Sequence, residues 1–243
     1  MKKFLVAMGL AAFAFVGCGD DSSSDASSES NNDEPVSSSE IQAESSSSGS
    51  EAGSEYDASS NTLKDLRDGK IYRTVTIGSQ VWMAENLNYE TPDSYCYNDS
   101  SKYCDKLGRL YKWLGEDSSG TWFDNGDYQR VCPSGWHLPT KAEFETLIKM
   151  VGGDSVASKK LKSTSGWFDG GNGTDDYAFT AYPSGYRGET GGFYYEDSYA
   201  YFWSSTEYDR GSFYVMVLNY NDDIATFWDS NKSMSYSVRC VKD

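Results

Sequence analysis

VCPSGWHLPTKAEFETLIKM, residues 131–150, holds the only histidine of the 243-residue chain, His137, beside a tryptophan, a proline and a cysteine. The stretch reads as a catalytic centre or as the joint that opens a helix, and its right half decides for the joint. Pro139 precedes Thr140, a good N-cap, and Glu143 stands three residues on, which together make a capping box. Phe144, Leu147, Ile148 and Val151 then recur at helical spacing on one apolar face. Gly152-Gly153 ends the run as glycine does after a helix C-terminus. A second, shorter helix is expected around Val156–Lys162.

Working outward, the hairpin signal lies upstream. In KIYRTVTIGSQVWMAENL (70–87), Tyr72 to Ile77 alternates, Gly78-Ser79 turns, and Gln80 to Met83 returns. LGRLYKWL (107–114) is short and ambiguous. Downstream, SFYVMVLNY (212–220), IATFW (224–228) and SMSYSVRCVKD (233–243) read as strands. Helices early and an antiparallel sheet late give an α+β fold.

The N-terminus reads differently. Residues 1–18 run from Lys2 and Lys3 through the apolar stretch Phe4–Val16 to Cys18, a secretory signal whose F-V-G-C ending resembles a bacterial lipobox. Cys18 is therefore expected to carry lipid and to hold the protein on the outer membrane or cell surface. Residues 19–60 form a Ser/Asp/Glu-rich tether, with 17 serines and 11 acidic residues but no lysine or arginine over 20–60. Such a segment cannot bury enough apolar surface to fold, and it can extend to roughly 100 Å or more. The expected domain is then 61–243. It stays acidic, with 26 acidic against 19 basic residues. A nucleic-acid partner is excluded on charge; neutral sugars, cations and proteins are not.

Beyond Cys18 remain Cys96, Cys104, Cys132 and Cys240, an even number that implies two disulfides in an exported domain. Three pairings are open on count. The short separation of Cys96 and Cys104 across a polar loop favours a local clip, which leaves Cys132 to Cys240. The long loop so closed contributes on the order of 4–5 kcal/mol. With no CxxC and one histidine, a zinc site is not supported.

The ordered series DGKIYRTVTIGSQVWMAENLNY, CPSGWHLPTKAEFETL, LKSTSGW, NGTDDYAFTAYPSGYR, YFWSSTEY and SVRCVKD resembles the Fibrobacter succinogenes major paralogous domain across residues 65–243. Its GWHLPTKAEFETL segment is in turn similar to a segment of the formylglycine-generating-enzyme branch of the C-type-lectin-like architecture. The resemblance implies two helices, a curled antiparallel sheet, termini brought together, and loops that carry the ligand. It does not carry an activity over.

The chemistry of that branch fails on residues, because formylglycine generation uses a late cysteine pair and only Cys240 stands there. A Ser-His-Asp arrangement would need His137 as base, and no G-x-S-x-G elbow accompanies it. FDGGNGTDD (168–176) and YNDD (220–223) offer the oxygen donors calcium prefers, but lack EF-hand spacing and serve equally as Asx-rich turns. No catalytic group assembles, so a non-enzymatic binding module is expected. Its ligand, polysaccharide or protein, would meet the loops of 165–210, with Arg187, Tyr194, Tyr195, Glu196, Trp203 and Glu207 as contacts. Flat rings beside carboxylates suit sugars, and tyrosine-rich loops suit proteins. Rings such as Tyr201 and Trp203 have a competing use in the core. The alternatives are an envelope assembly component acting by protein contacts, and a surface enzyme.

Overall fold

Alternation builds the first sheet, in a computed structural model that describes residues 53–113 and 131–243. Ser54–Asp57 (β1) pairs antiparallel with Thr62–Asp65 (β2), which pairs with Ile71–Ile77 (β3). Residues 53–60, expected as the end of the tether, thus belong to the folded part. The polar Ser-Ser-Asn turn hides a hairpin there that Tyr56 and Leu63 pin to the core. The expected hairpin follows, with β3 returning as Gln80–Met83 (β4) through Gly78, whose φ of +63° suits glycine. Cys18 and the rest of residues 1–52 lie outside the described residues.

Ser94–Tyr95 (β5) leads to Ser101–Leu107 (α1), a helix in the polar segment expected as a loop. Sequence pattern could not show it, because only Cys104 and Leu107 of its residues are buried. The described residues therefore hold three α-helices, not two. LGRLYKWL resolves into a strand, Leu110–Lys112 (β6). Trp136–His137 (β7) precedes Lys141–Met150 (α2), where Thr140 and Glu143 form both halves of the capping box. Phe144, Leu147 and Ile148 are buried, as is Val151 at the cap. Asp154–Leu161 (α3) is the expected shorter helix.

The second sheet comes from the aromatic half. Ser184–Arg187 (β8) and Phe193–Glu196 (β9) form a hairpin. Tyr199–Asp209 (β10), Ser212–Asn219 (β11) and Thr226–Asn231 (β12) form an antiparallel meander. The C-terminal segment divides into Ser235–Ser237 (β13) and Val241–Lys242 (β14). The first sheet runs β1-β2-β3-β4-β14-β7; the second runs β12-β11-β10-β13-β6-β5, with β8 on β13 and β9 on β8. Among the described strands all pairings are antiparallel except β10 with β13.

The β10–β11 ladder separates two cores by simple alternation. Tyr201, Trp203, Val215 and Val217 face one, with Tyr72, Trp136, Tyr236 and the Cys132–Cys240 pair. Ala200, Phe202, Met216 and Leu218 face the other, with Trp82, α2 and α3. Both expected disulfides form, Cys96–Cys104 and Cys132–Cys240. Arg239, fully buried between the cores, donates to Asn86 Oδ1 and to the carbonyls of Phe179 and Thr180 and lies over the Phe179 ring. Burial pushes its guanidinium down to about 9.

Candidate functional site

His137 sits in the joint. Its Nε2 lies 2.7 Å from Glu143 Oε1 and its Nδ1 2.6 Å from Asp243 Oδ1. Only the protonated ring donates to both carboxylates at once. The Glu143 bond raises the imidazole above its ordinary value, burial opposes this, and Asp243 adds to the rise. Burial works to raise the Glu143 carboxyl too, but hydrogen bonds from His137 and Thr140 outweigh it and hold it low. With both nitrogens committed, this imidazole fastens β7, the start of α2 and residue 243 together.

The oxygen-rich segments 168–176 and 220–223 do converge, and α3 brings a cation to them. Lys162, 1% exposed, donates from Nζ to the carbonyls of Asn219 at 2.8 Å, Asp222 at 3.2 Å and Tyr220 at 3.4 Å. Ser158 binds the Asp222 carbonyl as well, and Lys159 holds the Asn172 carbonyl. Gly171 lies so near the Tyr220 carbonyl that an added Cβ would stand 2.1 Å from its oxygen. Lys162 thus sets a positive charge against the backbone oxygens of Asn219, Tyr220 and Asp222. Among the described residues, no three His, Cys, Asp or Glu side chains group as a metal site would need. Sequence reading missed Lys162 because it looked only for ligands and not for a resident cation.

Two clefts accompany these features. One, of about 510 Å³, opens beside Lys162 and includes Lys159, Tyr220, Asp222 and Asp223. The other, of about 440 Å³, lies between α1 and the β3–β4 hairpin and includes Glu85, Asp105, Asn86 and Tyr182. Its two carboxylates are unlike in setting, since Glu85 accepts from both the backbone N–H and the Nε of Arg73.

The aromatic face is built by a break in strand alternation. Tyr186 and Tyr194 are cross-strand partners in the β8–β9 hairpin, with ring centroids 5.3 Å apart. Strict alternation would send Tyr195 to the opposite side. Instead its φ is +59°, a costly conformation for a bulky residue, and its ring also meets Tyr186, at 5.9 Å. Opposite it, Gly185 has φ +59° and backs onto the Tyr194 carbonyl so closely that no side chain fits. Tyr195 then touches Tyr199 at 5.3 Å, and Tyr199 touches Trp228 of β12 at 6.2 Å. Trp228 belongs to this face because its partner Val215 pairs in turn with Trp203. Tyr194, Tyr195 and Trp228 are 45%, 55% and 48% exposed, and half-buried Tyr199 lies between the last two. Asn219 Nδ2 donates to the Tyr199 hydroxyl at 3.3 Å.

Of the six contacts expected from sequence, the structure brings Tyr194 and Tyr195 together at this face. Trp203 is a correction: it is 1% exposed, and its Nε1 donates to the Tyr111 carbonyl inside the core. Glu207 lies eight residues along β10 from Tyr199, roughly 25 Å at strand rise, and sits 4.0 Å from Lys232. The Glu196 carboxyl turns toward α1, where burial raises it, Asp197 adds to the rise and a Tyr103 hydrogen bond opposes it. Arg187 lies flat over Tyr95, 3.8 Å from the ring centre. Tyr186, Tyr199 and Trp228 complete the face, and sequence reading did not place them as contacts.

Residues 75–242 match the Fibrobacter succinogenes major domain. No curated protein matches the chain, and no solved structure does.

Proposed function

We propose, from the premise that the chain belongs to the Fibrobacter succinogenes major domain family, that it is an exported, lipid-anchored module that binds polysaccharide without transforming it. The face formed by Tyr194, Tyr195, Tyr199 and Trp228 is the binding surface, and the anchor is Cys18 followed by the acidic tether. The architecture is read as C-type-lectin-like, which agrees with its curled antiparallel sheets and with the close approach of residues 54 and 134 and of 135 and 243.

One observation carries the reading. Tyr195 is held at φ +59° where an ordinary strand residue would cost less, and the result is an exposed ring beside two others. Strain kept at a surface position points to a ligand, and aromatic faces with a polar tip suit sugar rings and their hydroxyls. The test is a glycan array with the full chain in detergent, repeated for Tyr195→Ala and Trp228→Ala. Retention on a glycan, lost in both variants, is the expected result. Failure to bind any glycan, with one protein partner crosslinked reproducibly on intact cells, would replace this reading by an assembly role.

A further inference from the structure

Resting on that reading, we infer that the ligand is a neutral polysaccharide taken as a single hydrated chain, and not the flat face of a crystalline or an acidic polymer.

The rings are not coplanar. Tyr195 is inclined to Tyr199 by 56°, and Trp228 to Tyr199 by 51°. Tyr199 is the least exposed of the three and lies between Tyr195 and Trp228, so it is taken as the floor and the two tilted outer rings as the walls of a trough. Laid on a plane that touches one wall, the next ring lifts its far edge by roughly 2 Å, and a gap of about 0.5–1 Å already forfeits a quarter to a half of the dispersion attraction. A flat polymer face would meet one ring at a time. A flexible chain can turn a sugar ring onto each wall in succession. The trough is short as well, since its wall rings lie at most about 12 Å apart through contacts of 5.3 and 6.2 Å. That length holds about two sugar rings of aromatic size.

Charge sets the second half of the inference. Asp197 stands exposed in the turn that follows Tyr195. The nearest cation on the hairpin, Arg187, is spent on Tyr95 and Phe193, with its Nε buried and lacking a hydrogen-bond partner among the described residues. A carboxylate beside the Tyr195 ring repels uronate or sulfate groups and leaves sugar hydroxyls as the groups it can accept from. At the floor, the Tyr199 hydroxyl accepts from Asn219 and keeps its own proton for a sugar oxygen.

The test uses the full chain in detergent and three probes: soluble hydroxyethylcellulose or galactomannan, polygalacturonate, and microcrystalline cellulose. Affinity electrophoresis should show retardation by a soluble neutral glycan alone. Trp228→Ala and Tyr195→Ala should weaken it at least tenfold with circular dichroism unchanged, and Trp228→Tyr should retain most of it. Retention on microcrystalline cellulose that Trp228→Ala abolishes would overturn the single-chain inference and leave the binding face standing. Binding to polygalacturonate would overturn the neutral one in the same way. No binding to any of the three and to no arrayed glycan would overturn both inference and proposed function.

Discussion

Replacing the Cys132–Cys240 pair by alanine should cost far more stability than replacing Cys96–Cys104, although each variant loses one covalent bond. The sequence separations are 108 and 8 residues. In the chain-entropy model, the first cross-link restricts the unfolded ensemble by about 4.8 kcal/mol at 25 °C and the second by about 2.5 kcal/mol. Burial widens the gap, because Cys132 and Cys240 both lie in the first core, where sulfur contacts are lost along with the bond. The assay is equilibrium urea unfolding followed by tryptophan fluorescence, which reports on buried Trp82, Trp136, Trp167 and Trp203. The dependence on urea should also steepen in Cys132→Ala/Cys240→Ala, since an unclosed chain exposes more surface. The reasoning is refuted if Cys96→Ala/Cys104→Ala loses as much stability as the long-loop variant, or more.

Two further outcomes follow from charged groups. His137 has a raised folded value, so its contribution is fully present below the unfolded value near 6.5 and fades as pH rises through the folded one. Glu143, held low, contributes above its ordinary value near 4.5 and fades as pH falls. The joint is therefore firmest between about pH 4.5 and 6.5, and His137→Gln should flatten the decline in melting temperature above that window. Lys162→Met should destabilise the domain by about 2–4 kcal/mol, because three inward carbonyls lose a buried donor. Melting of the unsubstituted chain should be indifferent to EDTA and to added calcium, and a calcium-dependent rise would sink the view that lysine fills the cation's place.

Much of the fold was legible where one residue type does one physical job. Thr140 and Glu143 announced the capping box, Gly78 the hairpin turn, and the cysteine spacing both disulfides. The helix at 101–107 was not legible, because few of its side chains meet the core and most of its pattern is therefore polar. The hairpin at 54–65 was hidden by serines that continue the tether's composition into ordered structure. At the binding face, the run 193–203 showed that rings were abundant but not which ones face water. Backbone geometry decides that: alternation buries Tyr201 and Trp203, and one positive φ exposes Tyr195. Trp228 arrives from 25 residues past Trp203 through strand register, which no local spacing records.

The outermost strand of the first sheet carries a mechanical consequence. A pull applied at residue 53 against the rest of the domain loads β1, which among the described residues pairs only with β2. Peeled away from β2 along the direction of its ladder bonds, it loses them in succession, like a zipper, together with the Ser54–Ser134 bond and the Tyr56–Trp136 ring contact. Freeing residues 54–61 lengthens the chain by roughly 25 Å. The opening then meets Asp65, buried and gripped at 2.6 Å by Arg67, which also holds the Val131 carbonyl beside Cys132. Behind that catch stands the Cys132–Cys240 bond. A sudden tug would thus be absorbed by a strand that can re-pair, while the second sheet stays folded.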